Sequence, residues 1–253
     1  MAFSKSLIVA KTDLKMALKV SYVKYGLVLV AAVGPIMILL LVGFLAFTAP
    51  AAEAVFVLQL MSPIISPMIG VFAIIPASLI AANSLVGERE QNTLEPLLCT
   101  PLTDRELLIG KVLSSFIPSM GLLLGSILIT EIGTTIMFMI SGLPLILFPD
   151  IQGLFLLLAA GPLMILAMNS IMILISGRVS RVYEAYQTSG ATVMVFILPM
   201  LLPMVTLDAT GAMDPNAVLL TNLITILVAA VLFVVTWALA FSRFNRDHMV
   251  SLV

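Results

Sequence analysis

Between Gly87 and Lys111 the chain reads GEREQNTLEPLLCTPLTDRELLIGK, eight charged residues in 25, set between two long apolar runs. A charged island between apolar stretches of about 20 residues or more is the pattern of a loop joining two membrane-spanning helices. The island is more ordered than a plain connector. Glu88, Arg89, Glu90, Glu95, Asp104, Arg105, Glu106 and Lys111 interleave with Leu94, Leu97, Leu98 and Leu102. A short helix here would present apolar knobs and charged rims together, a surface suited to docking on a soluble partner. Thr103 to Glu106 reads T-D-R-E, a capping box that predicts a helix start just after Pro101.

Outward from this loop the composition points the same way. Of 253 residues, 61% are hydrophobic and 10% charged, against about 25% charged in soluble chains. Too few polar side chains remain to cover a water-facing surface, so the expected class is an all-α integral membrane protein with a single transmembrane domain over residues 1–253. Backbone amides left unpaired in hydrocarbon are costly, so the spans should be helices. Six stretches qualify, at about 26–48, 58–86, 107–130, 153–176, 188–207 and 217–242. The first apolar run is about twice the length of a signal-peptide core, so it reads as a span.

With both termini on the cytoplasmic side, all 12 Lys and Arg residues fall on inner segments, from Lys5, Lys11, Lys15, Lys19 and Lys24 through Arg89, Arg105, Lys111, Arg178 and Arg181 to Arg243 and Arg246. The outer segments carry only acids, Glu53, Glu131, Asp150, Asp208 and Asp214. This is a strong positive-inside pattern. It rejects the apolar stretch 133–148 (GTTIMFMISGLPLILF) as a seventh span, because a crossing there would move the four last arginines outside. That stretch is expected to be a long outer extension, a re-entrant hairpin broken at Gly142 and Pro144, or an interfacial helix. Pro199 and Pro203 predict a second broken outer segment over 197–216. Residues 1–24 predict a helix on the inner leaflet, with Lys11, Lys15 and Lys19 toward lipid headgroups and Leu7, Leu14 and Leu18 beside them.

The order of residues in the charged loop carries a resemblance. The run Glu88-Arg89-Glu90, then Thr93-Leu94-Glu95, Leu97-Leu98, Thr100-Pro101, Arg105-Glu106-Leu107 and Gly110-Lys111 resembles the type-2 ABC exporter permease family. Asn92 departs from the glycine usual before the Thr-Leu-Glu triplet; asparagine is the next most tolerant residue for a left-handed backbone. The resemblance implies a permease subunit in which residues 87–111 form a coupling helix seated on a separate nucleotide-binding subunit. That partner would carry ATP and Mg, since no G-x-x-x-x-G-K-S/T phosphate loop occurs here. It also implies a second permease copy, homologous or identical, a prokaryotic cytoplasmic membrane, and no cofactor in this chain. An assembly or maturation complex for a metalloenzyme or surface structure is the alternative to solute export.

On this reading Glu88, Arg89, Glu90, Thr93, Leu94, Glu95, Leu97 and Leu98 are the partner contacts, and Arg105 and Glu106 serve docking or capping. Within the spans, Asn169 and Ser170 line a path or bond between helices, Gly121 and Gly125 form a G-x-x-x-G packing pair, and Glu131 is expected in water at the outer surface. Sixteen methionines suit a deformable cavity for hydrophobic or amphipathic cargo, although lipid-facing packing is their ordinary role. Enzyme chemistry finds no support. The single Cys99 and single His248 cannot build a disulfide within the chain or a metal cage, and no acid pair lies within a span. Nucleic acid is not an expected partner.

Overall fold

The computed structural model describes residues 2–93, 102–206 and 215–243, and every regular element among them is helical. The elements are α1 (Ala2–Ala17), α2 (Ser21–Thr48), α3 (Ala51–Glu90), α4 (Asp104–Ser141), α5 (Ile151–Ser176), α6 (Val182–Met200), a 3-10 turn (Leu202–Thr206) and α7 (Pro215–Arg243). Five of these, α2, α3, α4, α5 and α7, are long and apolar enough to cross a membrane. The remaining candidate, expected at 188–207, is not one apolar helix. α6 has 19 residues and carries Tyr183, Glu184, Tyr186 and Gln187 in its first turns, and it gives way after Met200 to the 3-10 turn. Pro199 and Pro203 account for the break, because each removes an amide donor from the ladder.

α3 and α4 are much longer than the spans expected at 58–86 and 107–130. At 40 and 38 residues, they extend about 60 and 57 Å at about 1.5 Å per residue, roughly twice a hydrocarbon core. α3 runs unbroken through Pro63, Pro67 and Pro76. α4 absorbs residues 133–141 and ends at the break expected at Gly142. Gly142, at φ 71°, caps α4 in the left-handed conformation that glycine alone adopts without strain. A non-helical segment then leads to Asp150, whose side chain caps α5 by accepting from the Gly153 amide at 3.2 Å.

The core forms where α3, α5 and α7 meet, with α5 at its centre: Met164, Ile165, Ala167, Met168, Met172 and Ile173 are all fully buried. Polar groups tie the helices at three levels. At the expected outer end, Ser62 of α3 donates to Asp150 Oδ1 at 2.8 Å and accepts from the Asp150 amide. In the middle, the Asn169 side-chain amide lies between Ala77 O of α3 and Phe116 N of α4, at 3.1 and 3.2 Å, and bonds both when its nitrogen is turned toward the carbonyl. At the other end, the Ser176 hydroxyl of α5 enters the α3 backbone ladder, donating to Ala82 O at 2.8 Å and accepting from the Leu85 and Val86 amides.

α1 differs from its expected form. It ends at Ala17, a turn at 18–20 follows, and Lys24 belongs to α2. Its packed face is not the leucine face. Leu7 and Leu18 stay largely exposed, whereas Ser6, Val9, Ala10, Asp13 and Ala17 are buried, mainly against α4. Gly110 makes this contact possible: a Cβ there would lie 2.8 Å from Val9 Cβ and 3.0 Å from the Ser6 carbonyl oxygen.

Replacing Gly110 with valine forces the α1 and α4 backbones apart, and overpacking of this kind costs on the order of 1–3 kcal/mol. The expected result is a lowered thermal unfolding midpoint of the purified chain in detergent, with Gly121→Val, where a Cβ meets nothing within 4 Å, as the near-neutral control.

Candidate functional site

The charged loop leaves α3 and re-enters α4, and both junctions are built from local hydrogen bonds. At the α3 end, the Thr93 amide donates to Glu88 O at 2.9 Å and the Asn92 amide to Arg89 O at 3.1 Å. These two bonds form a Schellman cap, which requires a left-handed residue at the position of Asn92. Asn92 supplies it with φ 55°. At the α4 end the capping box is present: Thr103 Oγ1 accepts from the Glu106 amide at 3.2 Å, and the Thr103 amide donates to Glu106 Oε2 at 2.9 Å. Ser6 of α1 also donates to the Glu106 carbonyl at 3.0 Å, bringing the first helix to the same corner.

Beneath these caps lies a charge cluster. Lys111 is fully buried, and its ammonium stands 3.0 Å from Glu88 Oε2 on α3 and 3.1 Å from Asp13 Oδ2 on α1. Its third direction is taken by the Ser84 carbonyl oxygen at 3.1 Å. Two of the three ammonium hydrogens are thus used in hydrogen bonds, to Asp13 and Ser84, and Glu88 faces the same nitrogen. The Glu88 contact is close but poorly angled, so it acts as an ion pair more than as a hydrogen bond. A cavity of about 20 Å³, room for about one water molecule, adjoins the cluster between Asp13, Ser84, Glu88 and Ser114.

Glu88, assigned on sequence to partner contact, is thus an internal group, 7% exposed and committed to Lys111. Arg89, half-buried, and Glu90, exposed, also bond within the chain. The Arg89 guanidinium donates to Val179 O and, at 3.0 Å, to Gly177 O, closing the C-terminal end of α5, where a cation is favoured. Glu90 Oε1 accepts from the Val182 amide at 2.8 Å, at the N-terminus of α6, where a carboxylate is favoured. The ERE triplet therefore holds α4 and α1, the end of α5, and the start of α6 with three successive side chains. Thr93 is exposed and donates to Glu88 O at 3.2 Å, and Arg105 is exposed. Leu94, Glu95, Leu97 and Leu98 lie outside the described residues, as do Cys99 and His248.

The intramembrane candidates divide. Asn169 is fully buried and bonds between helices, as above, while Ser170 is buried and donates only to Leu166 O of its own helix. Gly121 and Gly125 have no neighbour within 4 Å of a Cβ position, so close packing on this pair does not occur among the described residues. Glu131 is not a freely solvated acid: it is half-buried near the Phe148 backbone, with Oε1 enclosed and unpaired.

Sequence reading missed Asp13 and the burial of Lys111. A signal was present: Ser6, Val9, Ala10, Asp13 and Ala17 recur at helical spacing, a stripe of mostly small residues with one acid in it, opposite the lysines.

A structure with this helical membrane architecture and this interlocked loop base invites comparison with transporter subunits. A family model for ABC-2 family transporter proteins matches residues 49–215. The chain belongs to the ABC-2 transporter family. A comparison with curated proteins finds no match for it. As an ABC-2 permease the protein is a multi-pass membrane subunit of an ABC transporter, a class that is generally non-catalytic and works with an ATP-binding partner. The matched region takes in all of α3 to α6, and so contains Glu88, Arg89, Glu90 and Lys111; Asp13 and α1 lie outside it.

Removing one member of a buried ion cluster leaves the others uncompensated, at a cost of about 3–5 kcal/mol. Lys111→Met is expected to be the most damaging change in the permease, since it strands two carboxylates. Adding Glu88→Gln to Lys111→Met should recover part of the loss, a non-additivity that a double-mutant cycle on thermal or denaturant unfolding in detergent reads directly.

Proposed function

We propose that this permease is the membrane half of an ATP-driven exporter in the cytoplasmic membrane of a prokaryote. A separate nucleotide-binding subunit carries ATP and Mg and docks on the inner loop, and a second permease copy completes the transport path. The observation that carries this reading is the base of the loop. Its two ends are capped, cross-linked to each other through Glu88 and Lys111, and continuous with two helices each about 60 Å long. A push delivered to residues 91–105 therefore reaches the membrane as a displacement of α3 and α4 together, instead of being lost in a slack connection.

ATP binding and hydrolysis would drive the cycle only if the partner docks with different free energy on the two transport states. Side chains already spent on internal bonds contribute little to that difference. The docking surface is accordingly assigned to the loop itself, with Leu94, Glu95, Leu97 and Leu98 as its knobs and rim, and to the exposed Thr93 and Arg105 beside it. Glu88, Arg89 and Glu90 transmit the push and do not receive it.

Orientation rests on charge. Arg178 and Arg181 lie just after α5, and Arg243 ends α7. Placing all three on the inner side requires α6 and its 3-10 turn to serve as a sixth crossing, one that is polar for its first turns and apolar from Val193 onward. The cargo is assigned only as hydrophobic or amphipathic, in keeping with a chain that offers few charges at membrane depth.

Purification of the tagged chain from its native host in mild detergent should bring a stoichiometric phosphate-loop ATPase, identified by mass spectrometry. Replacing residues 94–98 with Gly and Ser should release that partner while leaving the permease folded; a chain that purifies alone contradicts the reading. Cys99, the single thiol, reports the topology. A membrane-impermeant maleimide should label it in inside-out vesicles and not in intact spheroplasts, and the reverse pattern would invert the orientation.

A further inference from the structure

α1 has two opposed faces with different chemistry. At about 100° per residue, Ser6, Val9, Ala10, Asp13 and Ala17 gather on the buried side and Lys11 and Lys15 on the far side, while Lys5 lies at the edge toward Glu106 of α4; all three lysines are exposed. Leu7 and Ile8 are exposed beside these lysines, at 46% and 65%. Lys19 and Lys24, also exposed, continue the positive charge through the turn into α2. No acid in the described part of α1 sits on this face, because the helix's one acid, Asp13, is turned inward onto Lys111. Cations flanked by apolar side chains suit the boundary between anionic headgroups and acyl chains, where the charge meets phosphate and the apolar groups bury shallowly.

The buried side of the same helix touches both ends of the inner loop. Asp13 shares Lys111 of α4 with Glu88 of α3, and Ser6 bonds the Glu106 carbonyl within the α4 cap. Gly110 lets the two backbones meet closely enough for this. A rotation or lift of α1 therefore cannot occur without moving the ammonium that joins the loop's two ends.

We propose that the lysine face of α1 binds the anionic lipid headgroups of the inner leaflet, and that the Asp13–Lys111–Glu88 bridge carries this binding to the base of the loop. The lipid holds α1 down, α1 holds Asp13 on Lys111, and Lys111 keeps α3 and α4 in register. Lipid composition thereby sets how firmly the loop is presented. The inference needs α1 to lie at the cytoplasmic surface, as proposed above, and is independent of which partner docks there.

The test uses the full-length chain in nanodiscs of phosphatidylcholine alone, or of phosphatidylcholine with a large phosphatidylglycerol fraction, read by hydrogen–deuterium exchange. Amides of α1 and of residues 91–93 and 102–107 should exchange about fivefold or more slowly in the anionic discs. Replacing Lys11, Lys15 and Lys19 together with Gln, all surface positions away from the α4 cap, should abolish both effects. Asp13→Asn should keep the lipid response of α1 and lose that of the loop ends. Equal exchange in the two lipids, or a loop response that survives Asp13→Asn, overturns the proposal. So does inorganic phosphate reproducing the protection in neutral discs, which would mark a free-anion site. If Asp13→Asn does not fold, the lysine variant decides alone: a loop response that persists without the lysines refutes the link. The topology assay at Cys99 is separate, so a failed orientation and a failed lipid link are distinguishable.

Discussion

The side chain of Lys111 is fully buried, and a buried cation of this kind persists only if its surroundings supply what hydration would have supplied. Here that supply comes from two other helices at once: a carboxylate from α1, and a carboxylate and a backbone oxygen from α3, all near 3 Å. The demand is stringent, because each acceptor must arrive with its own helix correctly placed. The relative positions of α1, α3 and α4 at this end of the bundle are in this sense fixed by one side chain. The energetic consequence is asymmetry: forming the cluster contributes little net stability, whereas opening it on one side is costly.

Next to this cluster the ERE triplet extends the same logic to the rest of the bundle. Glu88 holds Lys111, Arg89 closes the end of α5, and Glu90 caps the start of α6. Ser176 reinforces the tie by entering the α3 ladder one turn earlier. Five helices thus converge on a stretch of three charged residues. For an ABC-2 permease this supplies a physical reason for so dense a charged motif at the mouth of an apolar bundle. Many of its ionic groups are spent on internal geometry.

Away from this cluster the bundle is held differently. Ser62 with Asp150 and the Asn169 amide are neutral or singly charged links, and most of the remaining contact is apolar packing around α5. The buried serines and threonines of α4 are largely satisfied by their own helix, as Ser114, Ser115 and Ser119 show by donating to carbonyls three or four residues back. Such groups permit close helix approach without fixing a unique geometry. The charge-tied end of the bundle is thus more tightly specified than the apolar body that continues from it.

The sequence by itself determined the membrane class, the helical character, the existence of the inner loop, the capping box at Thr103 and the left-handed tolerance at Asn92. Each follows from local composition or from bonds spanning only a few residues. It also marked Gly142 as a break. Tertiary structure alone decided that α4 continues to Ser141, that 188–207 is a helix and a 3-10 turn, and that the packed face of α1 is its small-residue stripe. It alone decided that Glu88 faces inward. Read along the chain, Glu88, Arg89 and Glu90 are three charges in a polar loop, indistinguishable from solvated groups. Their partners lie 23 to 92 positions away, at Lys111, Gly177 and Val182. Hydropathy and periodicity report how a residue relates to water and to its neighbours within a turn. Which charge lies within 3 Å of which other charge is set by the docking of whole helices, and no local pattern encodes it.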